Sequence, residues 1–411
     1  MMGISGEEEG IMRYLVLCGL LCFTVSASGD ASSSLSAEKE RYLQHKKQEI
    51  ESGAEALRYN WLSPLNLSLS HSIQKSVGAS ETSNVDQASA SWSQDIFRSG
   101  GIFYAIRYAD DKYAYDRLGW DEERDTLNLS VVTAVLGIRK QELQCERSEA
   151  LLKNLDIALF IKRRQYEAGA VDITELNDAL MAKNGEQKNL LSLRQSLADQ
   201  RAELKKYSDL DAGSIAVPEF SVIERETYLS RNYAAERARR QGDVAYDTYR
   251  ATAAGYLPAL SFDAQARYTD YDTTSGNEDG SSYSVGLTLS MPLEYNSLST
   301  VESQRAAMLR QRAEAADTER EEALAYEQLR NLVTRYENEI GVLEENLELY
   351  DTLIDVTRKG VAAGYKTGYD LQTLENTRRT AELEIAVDRI NIQLELAKLH
   401  YQTFEKGMNH E

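Results

Sequence analysis

The sequence is poor in the residues that interrupt helices and fill compact cores. Its 411 residues include four prolines, and none lies between Pro64 and Pro218 or after Pro292. Because proline is the strongest helix breaker, these intervals can hold long unbroken helices. Three Trp and seven Phe are also few for this length. The abundance of Ala, Leu, Glu, Gln and Arg favours long helices over compact globular domains.

Clustered positive charge is scarce as well. The formal net charge is −20, whereas nucleic acid binding needs clustered Lys and Arg that release counterions. The densest basic group, Arg237, Arg239 and Arg240, has Glu236 beside it and is typical of a solvated helix face. We therefore expect no nucleic acid partner.

The N-terminus has the pattern of an export signal. Residues 1–27 contain Arg13, an apolar run and then small residues, which predicts a secretory signal peptide cleaved after Ala27. Either Met1 or Met12 could be the start. The apolar run is shorter than the ~20 residues of a transmembrane helix. No later segment reaches that length.

The residue groupings that catalysis needs are also missing. After the predicted cleavage only Cys145 remains, which excludes an internal disulfide, and its heptad position indicates a small buried hydrophobe. No phosphate loop, nucleophile motif or metal-ligand spacing occurs. We expect no enzyme activity, cofactor or metal site. The four histidines lie far apart in the chain: His45, His71, His400 and His410.

What the sequence does contain is a duplication. The stretches YEAGAVDITEL (166–176) and VAAGYKTGYDL (361–371) both place a carboxylate six residues after a glycine. Gly364 follows Gly169 by 195 residues, and Pro258 follows Pro64 by 194. Agreement between independent landmarks indicates a tandem repeat. The predicted division is a signal peptide at 1–27, a first repeat at 28–207, a linker at 208–220, a second repeat at 221–406 and a tail at 407–411.

Each repeat contains a predicted β-hairpin. Apolar and polar residues alternate in the expected strands, which gives one apolar and one polar face. That alternation is typical of a transmembrane barrel wall, although a soluble sandwich or a half-buried hairpin has the same period. Long polar loops such as 272–282 are expected between strands. The predicted strands are 62–74, 85–97, 258–271 and 282–293.

Long helices account for the rest of each repeat. Apolar residues from Leu329 to Val361 alternate spacings of four and three, which is the seam of a left-handed coiled coil. At 1.5 Å per residue the two longest helices would each span about 100 Å. The repeated motif would turn each back as a helical hairpin. The predicted helices are 35–58, 102–166, 172–207, 221–255, 298–362 and 368–406.

Four strands cannot close a barrel, and an open sheet edge is not tolerated in lipid. Closure must then come from cyclic symmetry between copies. Two copies would give eight strands and a filled interior, whereas three would give 12 strands and room for a channel. The predicted fold class is mainly α with a small transmembrane β part. It is the tandem-repeat protomer of a trimeric 12-stranded β-barrel, with its long helices on one side of the sheet.

The repeated motif has the residues of two helix caps. Gly169 and Gly364 suit the left-handed position that ends a helix. Asp172 and Thr367 are predicted N-caps of the returning helices. A carboxylate three residues after each would complete a capping box.

The same motif lies where a channel would open. The hairpin tips are farthest from the strands, so three copies would place Glu175 and Asp370 around one axis at the tunnel mouth. Such a ring attracts cations, and like charges at close range raise some pKa values. Capping alone, and capping combined with gating, both fit the motif.

Four segments together resemble the TolC-type outer membrane efflux family, over roughly residues 35–406. They are YEAGAVDITELNDAL, GYKTGYDLQTLENTRRTAELEIA, YLPALSFDAQARY and GLTLSMPLEYNS. The resemblance implies a homotrimer in outer membrane lipid that extends into the periplasm as a long periplasmic α-helical barrel. It also implies docking on an inner-membrane transporter through a periplasmic adaptor. Multidrug efflux and type I secretion both remain open as roles.

The resemblance also implies functional residues at the tips. Glu175, Asp370 and Thr373 would form the periplasmic entrance constriction. Thr373 stands where a second carboxylate is common, so a less acidic constriction is expected. The hairpin tips would contact the adaptor through Gly169, Ala170, Gly364, Tyr365 and Lys366.

The alternative is a secreted periplasmic or surface coiled-coil structural protein. It accounts for the heptads, the low proline content and the signal peptide. It does not account for amphipathic hairpins duplicated in step with the helices. Dependence on detergent would separate the two hypotheses, because a spacer should be soluble without it.

Overall fold

The computed structural model describes residues 34–75, 82–273 and 276–404. The predicted signal peptide and C-terminal tail lie outside the described residues. The mainly helical class with a small β part is confirmed. In the described residues the elements are, in chain order, α1 Ala37–Arg58, β1 Asn66–Lys75, β2 Thr82–Phe97, α2 Gly101–Glu167, α3 Ile173–Leu204, α4 Arg225–Arg231, α5 Tyr233–Gly255, β3 Ala259–Thr273, β4 Gly276–Ser290, α6 Ser297–Ala362 and α7 Gly368–Tyr401.

The four strands form one antiparallel sheet in the order β1-β2-β3-β4. The two predicted hairpins therefore join through β2 and β3. The polar loop predicted at 272–282 is wrong, because β3 and β4 continue to pair as far as Thr273 and Gly276. The ladder consists of backbone hydrogen bonds. It can therefore continue past the end of the apolar residues.

One face of the sheet is apolar and the other polar. Along one row, Leu67 pairs with Ala90, Ala90 with Ala266 and Ala266 with Tyr283. Successive residues of a strand point to opposite faces of the sheet. Every second residue along each strand, counted from this row, therefore lies on the same face as the row. The large apolar residues of this side are exposed in the single chain: Leu65, Leu67, Leu69, Ile73, Trp92, Tyr283, Val285, Leu287 and Leu289.

The opposite face is held together by hydroxyl and carboxylate groups. The hydroxyls of Ser68 and Ser89 lie 2.7 Å apart across β1 and β2. Asp263 accepts hydrogen bonds from Ser93 at 2.5 Å and from Thr288 at 2.6 Å. All four strands are thus cross-linked by side chains on the polar face.

Two long helices carry the helical part, and their partners change along their length. α1 and α5 pack against the first half of α2, as the 2.6 Å ion pair between Arg237 and Glu122 shows. α3 and α7 pack against its second half, as in the 3.2 Å pair of Arg379 and Glu146. α6 contacts α5 and α7. The helices therefore lie in the order α1-α2-α5-α6 near the sheet and α3-α2-α7-α6 beyond it.

Residues 205–224 form a strap that crosses the helices between these two layers. The predicted linker 208–220 lies within it and is packed, with Ser208, Ile215 and Phe220 buried. Gln393 of α7 accepts a hydrogen bond from Phe220 N at 2.8 Å and donates one to its carbonyl at 3.2 Å. The main apolar core lies here, at the midpoints of α2 and α6: Val132, Leu136, Phe220, Tyr228, Tyr326, Val333, Leu396, Ala397 and Leu399.

The helix predicted at 221–255 is wrong as a single element. It is broken at Asn232, whose backbone is extended. Residues 231–233 bridge to residues 402–404, just after α7: Tyr233 N donates to the Gln402 carbonyl at 3.0 Å, and Phe404 N to the Arg231 carbonyl at 2.9 Å. The same bridge explains why α7 ends before the predicted residue 406. The break therefore depends on a tertiary contact.

Candidate functional site at the hairpin tips

The turns that join α2 to α3 and α6 to α7 form two tips at the end farthest from the sheet. α2 and α6 begin soon after β2 and β4 and have 67 and 66 residues. At 1.5 Å per residue each is about 100 Å long. Equal lengths bring the two tips to the same level along the helices.

Both long helices end with the same backbone motif. Gly169 and Gly364 have φ of +72° and +79°, a left-handed conformation that glycine adopts most readily. Ala170 N donates to the Gln165 carbonyl at 2.8 Å, and Tyr365 N donates to the Gly360 carbonyl at 2.8 Å. This is the Schellman arrangement, which satisfies the last carbonyls of a helix. A Cβ added at either glycine would meet no atom within 4 Å, so the backbone angle alone calls for glycine.

At the second tip the return helix begins with a complete capping box. Thr367 Oγ1 accepts from Asp370 N at 3.2 Å, and Asp370 Oδ2 accepts from Thr367 N at 2.8 Å. The Thr367 hydroxyl donates to the same carboxylate oxygen at 2.9 Å. The backbone N–H and then the hydroxyl of Thr367 lower the pKa of Asp370 from its usual value. Asp370 is therefore ionised at neutral pH and acts as a cap.

The first tip begins differently, and its predicted capping box is wrong. Asp172 accepts from Thr174 N at 2.8 Å and from Glu175 N at 3.1 Å. The Glu175 carboxylate does not return to Asp172 and instead pairs with Lys162 of α2. Asp172 satisfies two N–H groups alone, which leaves Glu175 free to join α3 to α2. The negative charge of Glu175 is offset within the chain.

The two hairpins are joined near the tips by a polar network between α2 and α7. Asn154 Nδ2 donates to the Thr373 carbonyl at 3.3 Å and to Thr377 Oγ1 at 3.1 Å. Asn376 Nδ2 donates to Asn154 Oδ1 at 2.9 Å. Thr373 therefore faces α2 through its carbonyl, while its hydroxyl donates to the Tyr369 carbonyl at 2.8 Å.

This network was missed at the sequence level, although a signal existed. Asn154 directly precedes Leu155, one of the apolar residues that repeat along α2, and asparagine at a helix–helix contact favours one register of the helices. The rings of Phe160 and Tyr369, 5.3 Å apart, continue the contact toward the tip. No local pattern predicted the role of Lys162, because its partner Glu175 lies on the other side of the turn.

The outermost tip residues are open to solvent. Tyr365 is 87% exposed, and Ala170 is exposed as well. Lys366 lies against the last turn of α6, with Cγ 3.0 Å from where a Cβ of Gly360 would be. Glu175 and Asp370 lie on separate tips and share no hydrogen bond or ion pair within the described part of the chain. The tips thus offer two similar surfaces side by side.

A sequence profile described as outer membrane efflux protein matches residues 41–208 and 226–400. The chain belongs to the outer membrane efflux protein family. The two matched stretches cover both hairpins, both long helices and both tips. Among curated proteins, none matches this chain in sequence.

Solved structures of outer membrane proteins share the fold. VceC from Vibrio cholerae is 16% identical with a TM-score of 0.67, over 89% of this chain and 93% of its own. The CmeC channel from Campylobacter jejuni is 12% identical with a TM-score of 0.69, over 94% and 92%. The MtrE channel from Neisseria gonorrhoeae, solved in an open state, is 16% identical with a TM-score of 0.62, over 88% and 85%.

Membership of the outer membrane efflux protein family confirms the predicted location in the outer membrane with an extension into the periplasm. Family members are trimeric outer membrane channels that work with adaptor proteins and inner-membrane pumps. They are channels and not enzymes. This favours the channel hypothesis over the coiled-coil spacer. Among the described residues, every helix is too short or too polar to cross a membrane.

Proposed function

We propose that three copies of this chain form the outer-membrane exit duct of a tripartite efflux or type I secretion system. Substrates would pass from an inner-membrane pump and a periplasmic adaptor through the helical tunnel and a 12-stranded barrel to the outside. The chain has no catalytic role in this proposal. The proposal rests on one observation. The open edges of the sheet lie above the open edges of the helical layer beside it.

Each helix near the sheet continues directly into one strand. α1 leads into β1, β2 into α2, α5 into β3 and β4 into α6. The helix order α1-α2-α5-α6 therefore matches the strand order β1-β2-β3-β4. The free edges β1 and β4 thus lie above the outer helices α1 and α6. A head-to-tail ring pairs β4 of one copy with β1 of the next and closes both layers at once.

The outer helices carry apolar residues that such a ring would cover. α6 has a seam that packs on α7, in which Val333 and Ile354 are buried. A second stripe beside that seam is exposed in the single chain and follows heptad spacing: Val342, Leu349, Leu353 and Val356. On the opposite edge α3 exposes Ile173, Leu180 and Leu191. Burial of both stripes favours association.

The two sheet faces suit a barrel wall with its apolar side toward lipid. The serine-rich side with Asp263 would line the lumen. At the other end, Glu175, Asp370 and Thr373 would narrow the entrance. The exposed tips, with Gly169, Ala170, Gly364, Tyr365 and Lys366, would receive the adaptor.

Single-particle imaging of the detergent-extracted protein tests this proposal. We expect threefold rings and, in planar bilayers, ion-conducting pores. Leu349→Asp would place a charge in the ring interface, where an unpaired charge is costly, and should release monomers. Leu151→Asp on α2 is the matched control, because Leu151 is also exposed, at 38% against 56% for Leu349, but α2 lies between α3 and α7 and is at neither edge.

A monomer that stays dissolved without detergent would refute the proposal and support the coiled-coil spacer. Threefold rings that survive Leu349→Asp would show that α6 does not form the contact between copies.

A further inference from the structure

Two aspartates, Asp247 buried and Asp111 partly exposed with a buried Oδ2, join α2 to α5 in the layer near the sheet. The side chain of Asp247 is 0% exposed, and its Oδ2 lies 3.3 Å from Nε of Arg107. The same Nε lies 3.6 Å from Oδ2 of Asp111. Neither oxygen of Asp247 nor Oδ2 of Asp111 accepts a hydrogen bond from any described residue. Buried carboxylate oxygens without a donor are costly.

The charges around this pair do not balance when both carboxyl groups are ionised. α2 contributes Arg107 and Asp111, and α5 contributes Asp247, with Asp243 one turn earlier adding negative potential. From α6, Arg312 reaches toward α5 and lies over the ring of Tyr246, 5.5 Å from its centroid. Arg107 lies over the same ring at 5.6 Å. Arg312 is thus engaged with an aromatic ring. One guanidinium therefore faces two carboxylates at the buried site.

One added proton addresses both the missing hydrogen-bond donor and the unbalanced negative charge. Two ionised carboxylates have no hydrogen to donate to each other. When one of them is protonated, its O–H can donate to the other, which gives one oxygen of each carboxyl group a partner. It also reduces the cluster to one negative and one positive charge. We propose that Asp111 and Asp247 share one proton in the folded protein, and that this proton fastens α5 to α2 beside the membrane.

The proposal fixes the direction of the pH dependence. Burial first, and then the contact with Asp111, raise the pKa of Asp247 to about 7. In the unfolded chain the pKa returns to the ordinary aspartate value of about 3.9. Between these values the folded state holds a proton that the unfolded state releases. The stabilisation is therefore complete below about pH 4, falls as the pH rises and is lost above about pH 7. Most paired carboxylates show the opposite trend.

Thermal unfolding of the full chain in detergent, measured from about pH 5 to about pH 8.5, tests the shared proton. Per chain, the folding equilibrium should weaken by up to about tenfold for each pH unit between 5 and 7. Asp247→Asn keeps the shape and supplies an N–H donor without a titrating group. The melting temperature of this variant relative to wild type should rise steadily with pH across that window.

Asp111→Asn should give the same relative profile, and it keeps the test valid if Asp247→Asn does not fold. Asp110→Asn is the matched control: Asp110 is the neighbour of Asp111, is exposed and pairs with Arg58. The melting temperature of Asp110→Asn should change with pH in parallel with that of wild type. Both helices belong to one chain, so the result does not depend on trimer formation. If both Asp111→Asn and Asp247→Asn run parallel to wild type at every pH, no proton is shared and the proposal falls.

Discussion

The charge of Asp370 can be separated from its role as a helix cap. Asp370→Asn removes the charge but keeps an oxygen that can accept from Thr367 N, now at 2.8 Å. Thr367→Val keeps the charge but removes the hydroxyl that accepts from Asp370 N at 3.2 Å and donates to its carboxylate at 2.9 Å. Loss of this N-cap costs about 1 kcal/mol of local stability. In a trimer, the first variant removes three negative charges from the mouth.

The assay is the reversal potential of purified trimers in a planar bilayer under a salt gradient. Asp370→Asn should lower the preference for cations and weaken block by divalent cations. Thr367→Val should leave both unchanged while the tip becomes easier to unfold. Because the pKa of Asp370 is lowered, its charge and its capping hydrogen bond are both present at any pH above the ordinary pKa of aspartate. Both are lost only as the pH falls through the lowered pKa. The preference of wild type for cations should therefore not change between about pH 7 and about pH 5.

Two results would refute this reasoning. If Thr367→Val shifts the reversal potential as much as Asp370→Asn does, the geometry of the tip matters and the charge does not. If neither variant shifts it in an assembled trimer, Asp370 does not line the constriction.

Two further predictions concern stability. Asn232→Ala should lower the free energy of unfolding by about 2 kcal/mol, because it removes the N-cap of α5 and a donor to Glu322; thermal melting measures this, and an unchanged midpoint would contradict it. Gly364→Ala should destabilise the tip by about 1 kcal/mol, since its φ is +79°. Gly341→Ala, inside α6 and with no atom within 4 Å of the added Cβ, should instead stabilise by about 1 kcal/mol. Hydrogen exchange of the backbone amides measures both effects, at the α6–α7 turn for Gly364→Ala and around residue 341 for Gly341→Ala. Changes in protection of the same sign and size would contradict the argument from the backbone angle.

Features that depend on local chemistry could be predicted from the sequence. The seam of α6 follows from heptad spacing, and its members Val333 and Ile354 are buried. The helix ends at Gly169 and Gly364 follow from a backbone angle that favours glycine. The strand faces follow from the period of two. The repeat boundaries and the roles of the tip residues remain predictions.

Features that depend on contacts between distant segments could not be predicted. Asn232 breaks a helix although neither glycine nor proline is adjacent to it, because the chain near Thr403 pairs with it. Glu175 leaves its expected cap position because Lys162 lies opposite it in the folded hairpin. The contact of Asp111 and Asp247 with the same Arg107 brings together two helices far apart in the sequence. Local propensity has no information about such partners.

The strap has a mechanical consequence for the two long helices that pass it. α2 is unbroken from Gly101 to Glu167, while its neighbours change where the strap crosses near Leu136. About 30 residues, or about 45 Å of helix, separate that crossing from the tip. A tilt of about 5° at the crossing would therefore carry the tip sideways by about 4 Å. In the proposed duct, a mouth built this way would widen through the angle of rigid rods, with neither hairpin losing a single turn.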